Sequence, residues 1–220
     1  MRSRSAAVCL ILVAVSFLGL RKVRAQLSEI QPFTAVETSV FTSTQQKTPR
    51  VHSGMLAVSS DGQKFARVAT QGVIKQHFIY DKTNQKTTLK DTETKMLVDY
   101  EYEDITRSLT AGAHCEGTPD GQIEGFYVNL IVQHGTGIGK GGTSVTKSWA
   151  APKLGCYILR REETVTDANG TVLMTFEHTL SSIKLGEPDQ AYFDASLPEG
   201  YTAGKQVDLE GAKANLHRQE

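Results

Sequence analysis

From Lys95 to Glu103 the even positions are Met96, Val98, Tyr100 and Tyr102, and the odd positions are Lys95, Leu97, Asp99, Glu101 and Glu103. Successive side chains of a strand point to opposite faces, so this alternation describes a ribbon with one apolar and one wet face. The pattern recurs. Phe126, Val128, Leu130 and Val132 share a face within 126–133, and Val172, Met174, Phe176, His178 and Leu180 within 171–180. Ile74, Phe78 and Tyr80 do so within 73–80, and further strands fit 35–43, 53–59, 64–69, 87–91, 145–149 and 156–163. Strands with one wet face belong to antiparallel sheets. Turn residues fall between them: Asp61-Gly62, Gln71-Gly72, Asp81 to Gln85, Asp120-Gly121 and Asn169-Gly170. Asn-Gly and Asp-Gly accept the positive φ that tight hairpins require. Helical spacing is confined to Asp104–Ala111, which ends at Gly112, and one further turn fits Pro188–Asp194. Residues 205–220 hold few large apolar side chains and are expected to form a flexible C-terminal tail, frayed or weakly helical.

The N-terminus has a different character. Arg2 and Arg4 precede an uncharged run from Ala6 to Leu20, and Val23 and Ala25 satisfy the small-residue rule for signal peptidase. Residues 1–25 therefore read as a signal peptide, and the run is shorter than the roughly 20 apolar residues of a membrane span. No stable membrane insertion is expected after cleavage. The chain carries 24 Lys and Arg against 24 Asp and Glu; loss of five basic residues with the leader leaves 19 against 24, formally −5. A mildly acidic exported chain has no electrostatic reason to bind phosphate backbones, so a nucleic-acid partner is not expected. The expected location is periplasmic or secreted. Residues 26–204 then form one antiparallel β domain. Period-two faces alone leave open a sandwich, a barrel, or a sheet curled around a helix.

Cys9 leaves with the leader, and Cys115 and Cys156 remain. An isolated pair in an exported protein reads as a disulfide; a pair of buried free thiols, a redox pair or metal ligands are the alternatives. No Cys-x-x-Cys occurs, and no histidine pair has ligand spacing, so no metal or other cofactor is expected. The Gly-rich run from Gly135 to Ser144 fits Gly-x-Gly-x-x-Gly at Gly137, Gly139 and Gly142. No amphipathic helix begins after it, as a dinucleotide site requires, and it fails the phosphate-loop spacing as well. A mobile interstrand loop, able to cover a pocket, is the expectation. No Gly-x-Ser-x-Gly occurs, and the acidic pairs read as solvated strand faces. Nothing declares catalytic chemistry; were there any, His178 or His134 would be its place. Asn169-Gly-Thr171 fits a glycosylation sequon, but its hairpin role accounts for it. Tyr100, Phe126, Val128, Trp149, Phe176 and His178 are the candidates, by strand parity, to line an apolar interior.

Three passages carry a family resemblance. Ser53-Gly-Met-Leu-Ala-Val-Ser-Ser-Asp-Gly62 precedes Phe65-Ala-Arg-Val-Ala69. Gly121-Gln-Ile-Glu-Gly-Phe-Tyr-Val128 precedes Lys147-Ser-Trp-Ala-Ala-Pro-Lys-Leu-Gly155. A closing segment runs from Ile183 through Pro188-Asp189 and Phe193 to Pro198-Glu-Gly-Tyr201. In this order they resemble the small exported bacterial proteins of the outer-membrane lipoprotein-sorting (LolA-like) superfamily and its uncharacterised relatives. The resemblance implies a mainly β fold: a single curved antiparallel sheet, a half-barrel, with one or two short helices. It also implies noncatalytic holding of an apolar ligand, a lipid or acyl chain. The alternative is an envelope or secreted protein-interaction module with a filled core, whose partner is another envelope protein. The chain departs from the chaperone itself in lacking a clear long N-terminal helix and in carrying the cysteine pair.

Overall fold

A computed structural model describes residues 31–216 except 47, 61, 72–73, 113–114 and 139–140. The expected leader lies outside these residues. The chain runs through β1 (Phe33–Ser43), β2 (Arg50–Val58), β3 (Lys64–Gln71), β4 (Ile74–Asp81), β5 (Lys86–Asp91) and β6 (Met96–Glu101). A single helical turn, α1 (Thr106–Leu109), leads to β7 (Thr118–Ile123), β8 (Phe126–Thr136), β9 (Thr143–Ala151), β10 (Tyr157–Thr166) and β11 (Val172–Leu185). A 3-10 turn at Gln190–Phe193, the short β12 (Thr202–Gly204) and helix α2 (Gln206–Leu216) complete it. All twelve strands form one sheet in the order β12-β6-β5-β4-β3-β2-β1-β11-β10-β9-β8-β7. Every pair is antiparallel except β12–β6. The sheet is open and curved, so the half-barrel is the member of the three architectures that this chain adopts.

The topology is two hairpin meanders, β1–β6 and β7–β11, joined where β1 pairs with β11. Register follows the apolar parity. Phe33 lies opposite Val58, Val58 opposite Phe65, and Phe65 opposite Tyr80, which stacks one buried row across four strands. A one-residue slip would send that row to solvent, so burial fixes the pairing. The main core gathers Phe33, Leu56, Phe65, Tyr157, Leu159 and Leu180 beneath Ile105 and Leu109 of the α1 segment. Phe33 meets Tyr157 edge-on with ring centroids 5.0 Å apart. A smaller core on the convex face is closed by Phe193, which the Gln190–Phe193 turn lays on Ala57 and Ala66.

Cys115 and Cys156 are bridged, with Cα atoms 5.4 Å apart. The bridge ties the α1–β7 connection to the corner before β10, where the Ala111 amide also donates to the Cys156 carbonyl at 2.9 Å. It thereby holds α1 over the concave face.

Two local expectations meet a different outcome. Asp120-Gly121 is no hairpin turn; it lies inside β7, where the register shifts between Pro119 and Gln122. The tight turn is Glu124-Gly125, both at positive φ. The Gly-rich run is no loose cover: Gly135 and Thr136 extend β8, and the Gly137 amide donates to the Gly142 carbonyl at 2.9 Å. A Cβ on either Gly137 or Gly142 would stand 2.7 Å from the Thr166 carbonyl oxygen, so the described glycines there serve close packing on β10. Of the frayed and helical alternatives for the tail, Gln206 to Leu216 take the helical one, an eleven-residue helix docked by a buried Leu209 on Leu89, Met96 and Val98.

Candidate functional site

The concave face is filled by the main core at one end and left open at the other. The open end holds two adjoining cavities that share Phe78 and Tyr80, whose rings stack 6.3 Å apart. The first, about 370 Å³, is lined by β1–β4, β10, β11 and Ser108 of α1. The second, about 660 Å³, lies between β4–β6 and α2. Both fall within the roughly 300–1,000 Å³ typical of small-molecule sites.

Strand register builds the first cavity. On β1, Glu37 and Ser39 follow Phe33 and Ala35 on the inward face, and on β3 Arg67 and Ala69 follow Phe65. On β11, Phe176 and His178 precede the buried Leu180, and their rings lie parallel with centroids 6.5 Å apart. Arg161 on β10 pairs with His178. Gly54 on β2 leaves backbone as part of the wall; a Cβ there would meet the Val68 carbonyl oxygen at 2.5 Å.

The cavity's polar centre is Glu37. Arg67 Nη2 donates to its Oε1 at 2.5 Å, and His178 Nε2 lies 2.8 Å from the same oxygen. Burial pushes the Glu37 carboxyl up, but the His178 hydrogen bond and the Arg67 charge outweigh it and hold the group below its usual range. An ionised carboxylate can only accept, so the proton between the two residues sits on His178 Nε2. Tyr80 also hydrogen-bonds Arg67, while burial raises its phenol. Arg161 differs. Among the described residues it makes no ion pair, its Nε is buried without a hydrogen-bond partner, and the Nε of Arg67 is likewise unpartnered. Burial lowers the Arg161 guanidinium pKa and the charge of Glu163 raises it; arginine stays cationic under such shifts.

The second cavity is acidic at its rim, with Asp99, Glu101 and Glu103, and apolar at Leu89 and Leu209. Lys213 of α2 reaches the fully buried Asp91 at 2.9 Å, so α2 is pinned by one ion pair and one leucine.

Of the six residues expected by parity, Phe176 and His178 line the first cavity and Tyr100 lines the second. Phe126, Val128 and Trp149 pack on the main core away from both. Trp149 Nε1 donates to Asp120 Oδ2 at 2.6 Å, and the Arg160 guanidinium lies 5.1 Å from its ring centroid. His134 is exposed on β8. Among the described residues no group of three His, Cys, Asp or Glu could hold a metal ion, and no helix is long and apolar enough to cross a membrane. Glu37, Arg67 and Arg161 escaped the sequence reading because a charge on an alternating strand looks solvated. The signal was their parity with Ala35, Phe65 and Leu159 respectively.

An open, curved antiparallel sheet with a partly covered concave face is consistent with a LolA-like half-barrel. No family model matches the chain, and no curated protein matches it. Solved structures similar to it include a LolA superfamily protein from Nitrosomonas europaea, at 8% identity and TM-score 0.38, covering 75% of this chain and 90% of that one. An uncharacterized conserved protein from Thermus thermophilus is similar at 14% identity and TM-score 0.49, covering 80% and 91%. A DUF1329 family protein from Desulfovibrio piger is similar at 9% identity and TM-score 0.39, covering 80% and 95%. At these scores the likeness assigns no chemistry to the groove, which must come from its own side chains.

Proposed function

We propose that this chain is a noncatalytic exported protein that holds an apolar ligand, a lipid or acyl chain, in the concave groove of its half-barrel. The observation that carries this reading is the unfilled half of the concave face, where two adjoining cavities are walled by the aromatic side chains Phe78, Tyr80, Tyr100 and Phe176. Burying an acyl chain there gains about 0.8 kcal/mol per CH₂, so affinity should rise steadily with chain length. Export is supported by the Cys115–Cys156 bridge, since disulfides persist in oxidising compartments. The interaction-module reading has less behind it. Both sheet edges are poor templates for an added strand: β12 has three residues, and β7 is bulged and carries Pro119.

The test is uptake of a fluorescent fatty-acid probe by residues 26–220 produced in an oxidising compartment, together with mass spectrometry of a solvent extract. Saturable uptake that Ser39→Trp reduces at least tenfold is expected, because Ser39 lines the first cavity. A clean extract and no uptake by the folded wild-type protein would sink the proposal.

A further inference from the structure

Resting on the reading just given, we propose that the groove selects amphiphiles with a carboxylate headgroup, and that Arg161 receives that headgroup. The first cavity joins two features that an apolar chain does not need. One is an excess of donors: Arg67, Arg161 and His178 converge on a space where Glu37 is the carboxylate among the lining residues. The other is that this excess is unspent. Glu37 Oε1 accepts from both Arg67 and His178, while Arg161 holds a buried Nε with no partner. Glu163, two residues further along β10, attracts Arg161 through space, but no hydrogen bond or ion pair joins them among the described residues. A buried donor without a partner is costly, and native proteins leave few of them. A purely hydrocarbon ligand would seal that cost in by excluding water. A carboxylate would remove it, because its two oxygens match the forked geometry of a guanidinium.

Placement agrees with this chemistry. Arg161 and Arg67 lie on β10 and β3, four neighbours apart in the sheet, yet line the same cavity. Phe78 and Tyr80 lead from there into the second cavity, whose lining carries Asp99, Glu101 and Glu103 against Lys213; Lys86 pairs with Asp99 and Lys213 with Asp91, which leaves Glu101 and Glu103 to make that cavity net acidic. An anion is repelled there and attracted at Arg161. The headgroup therefore belongs in the first cavity, with the alkyl chain passing Phe78 toward Leu89 and Leu209.

The experiment compares displacement of the fluorescent probe by dodecanoate and by dodecanol, which share a chain and differ in the headgroup. Wild-type protein should bind dodecanoate about tenfold or more tightly than dodecanol, as a charge-assisted hydrogen bond predicts. Arg161→Met should abolish that preference, read as the ratio of the two affinities in the same variant, and a thermal melt checks that the variant folds. Arg161→Lys should keep a reduced preference. Acetate at millimolar concentration should not displace the probe, since a free anion lacks the chain. Equal binding of the two ligands by wild type, or an undiminished preference in Arg161→Met, would overturn the headgroup assignment and leave the proposed function standing. Displacement by acetate alone would overturn it in favour of a small-anion site. Failure of both long-chain ligands to bind would overturn the two proposals together.

Discussion

Glu37 shows what one inward-facing charge does in an otherwise apolar curve. Its carboxylate is largely enclosed, shared by Arg67 and His178, and held below its usual pKa. A carboxyl whose folded-state pKa lies below its unfolded value stabilises the fold above the ordinary range, and that contribution is lost as pH falls through the folded value. Glu37→Gln should therefore cost about 2 kcal/mol near neutral pH, the scale of a hydrogen bond to a charged group. The cost should shrink as the pH drops below 4.5, where the wild-type carboxyl begins to protonate in the unfolded chain. Denaturant melts of both proteins at neutral and at acid pH measure this; a pH-independent difference would mean that packing, not ionisation, is what Glu37 supplies. His178, whose place on an apolar face was legible from Phe176 and Leu180, owes its partner to strand pairing between residues 141 positions apart, which no local pattern records.

At the scale of elements, ten strands were legible: alternation marks β4, β6, β8 and β11, and the other six fit more weakly, β5 among them because none of its residues is exposed. β7 and β12 were not. β7 is exposed along most of its length and carries Pro119 and Gly121, so no apolar face marks it. β12 has three residues and pairs in parallel with β6, a contact made by the fold and not by any hairpin. Helix α2 was legible only as one of two alternatives for a related reason: a single large side chain, Leu209, does most of its docking. Leu209→Ala should then release α2 more than it unfolds the sheet. Leu-to-Ala changes in cores cost about 2–5 kcal/mol, which is enough to undock a short helix held otherwise by the Lys213–Asp91 pair. Hydrogen exchange should speed in α2 and β12 while β1–β4 keep their protection. Uniform acceleration across the sheet would show instead that α2 is part of one cooperative unit.

For the whole molecule, the mainly antiparallel β class was legible, and the open half-barrel was legible only through family resemblance, since parity cannot say how far a sheet closes. The groove was half legible. Phe176 and His178 line it, but Trp149, Phe126 and Val128 share apolar parity and serve the core instead. Curvature decides which inward residues meet across the sheet, and curvature is a property of all twelve strands together. The disulfide acts at this scale as well. Its partners are 41 residues apart, and closing a loop of that length should stabilise the fold by about 4 kcal/mol in the chain-entropy account. Denaturation of a Cys115→Ser, Cys156→Ser double variant measures it. A loss well under 1 kcal/mol would mean that the bridge fixes α1 without constraining the unfolded chain.

The pairing of β1 with β11 also sets an order of events. Strands β1–β6 are neighbours in sequence and can zip locally, but β1 keeps one flank bare until β11 has been translated and threaded back. Contacts across that distance carry a large loop-closure cost and form late. Glu37, Ser39 and Arg67 come from the first meander, and Arg161, Phe176 and His178 from the second. The first cavity is therefore among the last features to assemble. A chain stalled before β11 would offer eleven residues of unpaired β1 to any other strand in its compartment, so the step that creates the groove is also the one that ends the risk of aggregation.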